Sequence, residues 1–267
     1  MPARAAIDPA IAAYGPARVV EILAPLLTES RRARIEAVLT ARLASLAPIL
    51  EDTFDPHNAA AAIRTSEALG LAGLHAVEPC KGLTSHGVTR GCDRWLEITR
   101  WATPQACADA LRARGFAVYA TAPDATVTLD DVAVDRPVAV MFGNEHAGLS
   151  APARAACDGA LAIPMFGFTE SFNLSVSVAL VMSRLAARRR ALLGRPGDLD
   201  VDTIATLRAQ WYAAKLQGAP EIVARAVAGA TRPDVAAAPR AGTMTPAPRV
   251  APALRLQPLP SCPWPSR

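Results

Sequence analysis

Residues 138–183 constrain the fold more than any other stretch of the chain. They read VAVMFGNEHAGLSAPARAACDGALAIPMFGFTESFNLSVSVALVMS. Two apolar runs, Val138–Phe142 and Ala160–Met165, have the length and composition of short buried strands. Each opens into a loop rich in Gly and polar side chains. The first is Gly143-Asn144-Glu145-His146-Ala147-Gly148, and the second is Gly167-Phe168-Thr169-Glu170-Ser171-Phe172-Asn173, which runs straight into an apolar helix. In open α/β sheets, ligands bind outside the carboxyl ends of the strands. Two such loops ending side by side make one pocket.

The rest of the chain supplies more strand–helix units. Leu46–Glu51 is a strand in which Pro48 favours an edge or a strand end. Asp55-Pro56-His57-Asn58 is a turn with a helix N-cap, Asn58 being one of the preferred capping types. The helix Ala59–Leu69 follows and closes at Gly70. Gly73–Val77 is a second strand, residues 78–93 lack a clear period, and Leu96–Trp101 is a third strand. Thr103-Pro104 starts a helix that ends at Gly115, and Phe116–Thr121 is a fourth strand. This alternation predicts an α/β fold with a mostly parallel sheet.

The flanks read as helical. Val19, Val20, Ile22, Leu23, Leu26 and Leu27 form one apolar face, and Ser30 is placed to cap a second helix carrying Ile35, Val38, Leu39 and Leu43. The opposite face of that helix holds Arg31, Arg32, Arg34 and Arg42, either a solvated face or an RNA-contacting arm. Past Ser183 the long helix turns basic at Arg184, Arg188, Arg189 and Arg190, which its dipole favours, and stops at Gly194-Arg195-Pro196-Gly197. Helices over Val201–Gln217 and Pro220–Ala230 follow. From Thr231 the chain is Pro, Ala and Arg without periodicity, so it is expected to be disordered.

Charge and cysteine usage narrow the partners. The net charge is +4, and Lys81 and Lys215 are the only lysines. Arginine's planar fork suits phosphate, which permits an RNA partner; high-GC coding accounts equally for the Arg, Ala and Pro. Cys80, Cys92, Cys107, Cys157 and Cys262 contain no CxxC pair and are odd in number. That argues against a zinc site and a disulfide framework, and for a reducing compartment. His57, His86 and His146 have no metal-ligand spacing and read as turn or loop residues. Arg4, Asp8 and Arg18 interrupt any apolar signal core, and no run approaches the ~18 apolar residues of a membrane span. A cytoplasmic protein with no membrane contact is expected. The absence of G-x-G-x-x-G argues against a Rossmann-type cofactor site.

Three groups of residues then stand out together. The first is Pro56-His57-Asn58-x-x-Ala61-x-x-Arg64-Thr65. The second is Phe142-Gly143-Asn144-Glu145-His146-Ala147-Gly148-Leu149. The third is Ile163-Pro164-Met165-Phe166-Gly167 with Ser171-x-Asn173-x-Ser175-Val176-Ser177-x-Ala179. In this order, over roughly residues 45–190, they resemble the SpoU branch of the SPOUT RNA methyltransferases. The first and third groups look like the TrmH type, the tRNA guanosine 2′-O-methyltransferases.

The resemblance implies an α/β core with a deep C-terminal trefoil knot. It divides the chain into a helical extension (1–45), a methyltransferase domain (46–194), a second helical extension (195–230) and a tail (231–267). It implies S-adenosylmethionine as methyl donor, bound by Gly143, Ile163, Met165, Phe172 and Thr121, with no metal at the reaction centre. It also implies tRNA as partner and an obligate homodimer through the knot region. The implied catalytic residues are Arg64, Asn58, Glu145, Ser171 and Asn173. A guanidinium keeps its proton until pH ~12 or above. Arg64 is therefore read as a cation that gathers a phosphate and stabilises the developing alkoxide, the proton leaving through that phosphate. Glu145, Ser171 and Asn173 position the reacting groups and knit the loops; Asn58 orients Arg64 or caps its helix.

Helical extensions at both ends resemble the tRNA enzymes, which makes the D-loop guanosine at position 18 the expected substrate. Another tRNA or rRNA ribose is the alternative. A non-catalytic RNA-binding module would show a broken cofactor loop or lack Arg64, and neither is seen. Phe172 stands where many relatives have Leu, and His146 where others have Lys or Gly.

Overall fold

The apolar runs pair into a seven-stranded sheet in the computed structural model, which describes residues 6–78 and 91–230. The strands are β1 (Leu46–Glu51), β2 (Gly73–Val77), β3 (Glu97–Trp101), β4 (Ala117–Thr121), β5 (Val127–Thr128), β6 (Val138–Phe142) and β7 (Gly159–Ala162). Their order is β3-β2-β1-β6-β4-β7-β5, and neighbours run parallel. The expected parallel α/β class is borne out. The expected strand Ala160–Met165 is shorter, because β7 ends at Ala162 just ahead of Pro164.

The helices are α1 (Asp8–Tyr14), α2 (Pro16–Leu23), α3 (Glu29–Thr40), α4 (Pro56–Ala68), α5 (Pro104–Ala113), α6 (Ala151–Ala155), α7 (Leu174–Leu193), α8 (Val201–Ala213) and α9 (Ala219–Ala230). The period-two alternation of the strands sorts them into two layers. Leu46 and Leu50 of β1, with Val138, Val140 and Phe142 of β6, face α4 and α7. Ala47, Ile49, Ala139 and Met141 face α5 and α6. A third cluster joins α2 and α3 to α8 and α9, with Trp211 at 2% exposure. Among the described residues no helix is long and apolar enough to cross a membrane.

Several local expectations are corrected. Pro48 lies in a central strand, opposite Val140 of β6. It is accommodated because the ladder to β2 is broken there: Leu43 bridges Leu71, and pairing resumes only at Ile49 with His75. Thr28, not Ser30, caps α3 by accepting from Arg31 N. The helix expected to end at Gln217 stops at Ala213. The expected disordered tail and most of the aperiodic 78–93 stretch lie outside the described residues.

The arginines offered as an RNA-contacting arm also divide. Arg42 is 1% exposed; it donates to Leu71 O at 2.6 Å and Glu67 Oε1 at 3.1 Å and lies over the Trp211 ring. It cannot reach a partner. The C-terminal arginines of α7 do similar work. Arg189 is buried, donating to Ser45 Oγ (2.9 Å) and Val134 O (2.7 Å), with Asp198 at 3.8 Å. Arg190 donates to the carbonyls of Ala41, Leu69 and Pro196. Most of these carbonyls precede strands, so arginines clamp the amino edge of the sheet.

Candidate active site

The opposite, carboxyl edge gathers the loops that follow β1, β4, β6 and β7. The β6 loop is tightly folded: Asn144 N donates to Gly148 O (3.0 Å) and Gly148 N returns a bond to Asn144 O (2.9 Å). A Cβ on Gly143 would sit 2.2 Å from Gly148 C and Leu149 N, so this position admits no side chain. Asn144 Oδ1 accepts from His146 N and Ala147 N, while its Nδ2 donates to Asp52 O at 2.7 Å. Asp52 itself has φ 49°, a left-handed conformation that this bond helps to hold. Glu51, at the end of β1, accepts from Ser150 N (3.0 Å) and Ser150 Oγ, and Ser150 in turn caps α6.

A directed chain of side-chain hydrogen bonds crosses this edge. Ser175 N and Oγ donate to Asn173 Oδ1; Asn173 Nδ2 donates to Asn58 Oδ1 (3.0 Å); Asn58 Nδ2 donates to Glu145 Oε1 (2.9 Å). Glu145 also accepts from Phe54 N (3.1 Å) and Asp55 N (3.3 Å). A carboxylate only accepts, which fixes the orientation of both amides. Burial pushes the Glu145 carboxyl up, but the Asn58 amide and the N–H groups of Glu145, Phe54 and Asp55 outweigh it and hold the pKa below the usual carboxylate value.

Asn58 is therefore not the helix cap. Asp55 caps α4 by accepting from His57 N at 2.8 Å, and Asn58 is buried inside the helix. Nor does Asn58 bond Arg64. Arg64 is exposed and lies six residues further on, about 9 Å along the axis and about 120° round the helix.

Two cavities open on this edge. One is lined by Thr121, Gly143, Ile163, Met165 and Phe172, which brings all five expected donor-binding residues to one cleft, with Leu161 and Leu174 as further apolar wall. Thr121 Oγ1 is tied back to Met141 O at 3.0 Å. The second, of about 480 Å³, is lined by Phe54, Asp55, Asn58 and Asn173. Glu145, His146, Ser171, Phe172 and Leu174 line both. Four of the five expected catalytic residues thus line the second cavity, Glu145 and Ser171 among them also lining the first, and Arg64 lines neither. His146, Phe54, Asn144 and Glu51 were not singled out as site residues by sequence. His146 and Asn144 lie inside the Gly-Asn-Glu-His motif, the signal that could have found them.

A parallel sheet with two adjoining cavities among its carboxyl-edge loops defines an α/β protein with its candidate site at that edge. The profile of the SpoU rRNA Methylase family matches residues 45–183. A tRNA (guanosine(18)-2′-O)-methyltransferase of Borreliella burgdorferi is 37% identical over 173 residues, covering 64% of this chain and 79% of that one. The crystal structure of an A. aeolicus TrmH/SpoU tRNA modifying enzyme aligns with TM-score 0.62 at 26% identity, over 71% of this chain and 98% of that one. The AdoMet-bound rRNA methyltransferase of Sinorhizobium meliloti aligns with TM-score 0.50 at 26% identity, over 54% of this chain and 56% of that one. The chain belongs to the SpoU rRNA methylase family.

Proposed function

We propose that this protein transfers the methyl group of S-adenosylmethionine to the ribose 2′-hydroxyl of a tRNA guanosine, at position 18 of the D-loop. The observation that carries the proposal is the pair of cavities sharing Glu145, His146, Ser171, Phe172 and Leu174. One suits the methyl donor and the other the target nucleoside, with a common wall across which a methyl can pass. The donor cleft fits an adenosyl group chemically. Its walls are Leu161, Ile163, Met165 and Leu174, and main-chain groups come close where the loop is too tight for a side chain at Gly143.

S-adenosylmethionine supplies an activated methyl on a sulfonium sulfur. The protein's task is to hold the 2′-oxygen in line with that methyl and to manage its proton. The Ser175–Asn173–Asn58–Glu145 chain fixes the shared wall and keeps Glu145 ionised, so that it serves as an anchor. Ser171, on the wall itself, positions the ribose.

Arg64 gathers a phosphate and stabilises charge developing on the 2′-oxygen. Because it stands outside both cavities of its own chain, it reaches a site across a homodimer. Val176 and Leu180, one turn apart on α7 and 43% and 40% exposed, support a subunit contact on the α4–α7 face. A trefoil knot is part of the same proposal. The late strands β6 and β7 are inserted between earlier neighbours, β1 and β4, and β4 and β5, which supports a threaded chain. A cytoplasmic site of action follows from a tRNA substrate.

Nucleoside mass spectrometry of tRNA from a deletion strain tests the function. Loss of 2′-O-methylguanosine is expected, and its persistence at position 18 would sink the proposal. Sedimentation tests the dimer: wild type should run as a dimer and Leu180→Asp as a monomer.

A further inference from the structure

We infer that His146 is the catalytic base that takes the ribose 2′-hydroxyl proton. The inference rests on the proposed methyl transfer and names a residue to which the family resemblance gives no role. Three observations lead to it. First, His146 lines both cavities and so stands where donor and acceptor must meet. Second, the backbone that carries the ring is held and the ring has an aromatic neighbour. Asn144 Oδ1 fixes its backbone N at 2.8 Å, and the Phe54 ring meets it edge-on with centroids 6.0 Å apart at 64°. The Phe54 main chain is tied in turn by its N–H to Glu145.

Third, the other ionisable side chains that line the two cavities, Glu145, Asp55 and Arg154, are unsuited. Glu145 accepts from Asn58, Phe54 and Asp55. These bonds stabilise its ionised form and make it a weak base. The carboxylate of Asp55 caps α4. Asp52 is turned to the Asn144 amide. Arg154 of α6, on the donor cleft, is paired with Asp124 at 3.7 Å and, as a guanidinium, offers no lone pair. A neutral imidazole has one nitrogen lone pair and is the side chain suited to accept a proton near neutral pH.

The step balances without a further reactant. The 2′-oxygen bonds to the methyl carbon as the carbon–sulfur bond breaks, and the hydroxyl proton passes to the imidazole. The products are the 2′-O-methyl ribose, S-adenosylhomocysteine and an imidazolium, which returns its proton to water. The buried histidine His75 is silent in the working range. It is buried on β2, accepts from Trp101 Nε1, and is pushed down to about 4 by burial and then by Arg114.

The test is single-turnover methylation of tRNA, against pH, by wild type, His146→Gln and His146→Ala, with calorimetric binding of S-adenosylhomocysteine beside it. His146→Ala should lose about 100-fold or more in rate. Both variants should lose the acid limb of the wild-type profile and keep their S-adenosylhomocysteine affinity. Added imidazole should restore His146→Ala in proportion to its free-base concentration. A variant rate equal to wild type, or a slow variant that imidazole does not restore, overturns the inference. Wild-type protein that methylates no tRNA would instead overturn the function on which it rests.

Discussion

The two edges of the sheet are both held by polar side chains, and they hold differently. At the amino edge Arg42, Arg189 and Arg190 spend their donors on carbonyls and on Glu67 and Asp198. At the carboxyl edge the ties are amides and carboxylates that join loop to loop, and they leave two cavities open beside them. A cation buried at one edge locks the scaffold. A neutral amide chain at the other fixes geometry while leaving room for ligands. Arginine content alone is therefore a poor guide to where this protein meets RNA.

The comparison breaks most readily at Arg189. Arg189→Met removes the donors to Ser45 Oγ and Val134 O and the cation beside the buried Asp198, which keeps its bonds from Ala44 N and Ser45 Oγ, and should cost about 3–5 kcal/mol of stability. Denaturant unfolding would read that loss, while the S-adenosylhomocysteine affinity of the folded fraction should stay within about twofold if the edges are independent. A large affinity change would show that they are coupled.

Arg64→Ala should do the reverse. Being exposed, the side chain can be removed with little effect on the melting temperature. Losing a preorganised charge in the transition state should slow single-turnover transfer by about 2.7–4 kcal/mol in activation free energy. Arg64→Lys keeps charge without the fork and should retain a measurable fraction of the rate.

Asn58→Leu sharpens the carboxyl edge itself. It removes a donor from Glu145 and an acceptor from Asn173, and hydrogen bonds to charged groups contribute about 1.5–3 kcal/mol each. Stability and transfer rate should fall together, unlike in either arginine variant.

The smallest expected effect is that of Glu145 on acid stability. Its folded pKa is depressed, so its contribution is present above the unfolded value of about 4.3 and is lost as pH falls through the lower folded value. Glu145→Gln should lose that contribution at neutrality and flatten the acid limb of the unfolding free energy, the two proteins converging in stability as the pH falls below about 4. An unchanged acid limb would remove Glu145 as a charged anchor.

Much of the scaffold was legible because strands buried on both faces read as unbroken apolar runs; Leu46–Glu51, Gly73–Val77 and Val138–Phe142 keep their expected bounds. β5 was not, since two residues within a polar stretch carry no period. α6 is one short turn whose Ser150 cap and Pro152 were available signals but too brief to stand alone. That Thr121, Gly143, Ile163, Met165 and Phe172 share one cleft followed from the loops and the family motifs. What sequence could not order was competition between equivalent polar groups. Asp55 and Asn58 both suit a cap, and only the position of Glu145 frees Asn58 for the site. Arg42 shares a sequence face with Arg31 and Arg34, and only Trp211, far along the chain, makes it a core residue.

The direction of the Asn173–Asn58–Glu145 chain also sets what hydrolysis of one amide would do. Each amide must present nitrogen to one neighbour and oxygen to the other, so hydrolysis of either is more than the loss of one bond. Asn58 converted to Asp would turn a carboxylate toward that of Glu145, and the two could coexist only by sharing a proton. An aged preparation would then need acid to close the edge that a fresh one closes at neutral pH.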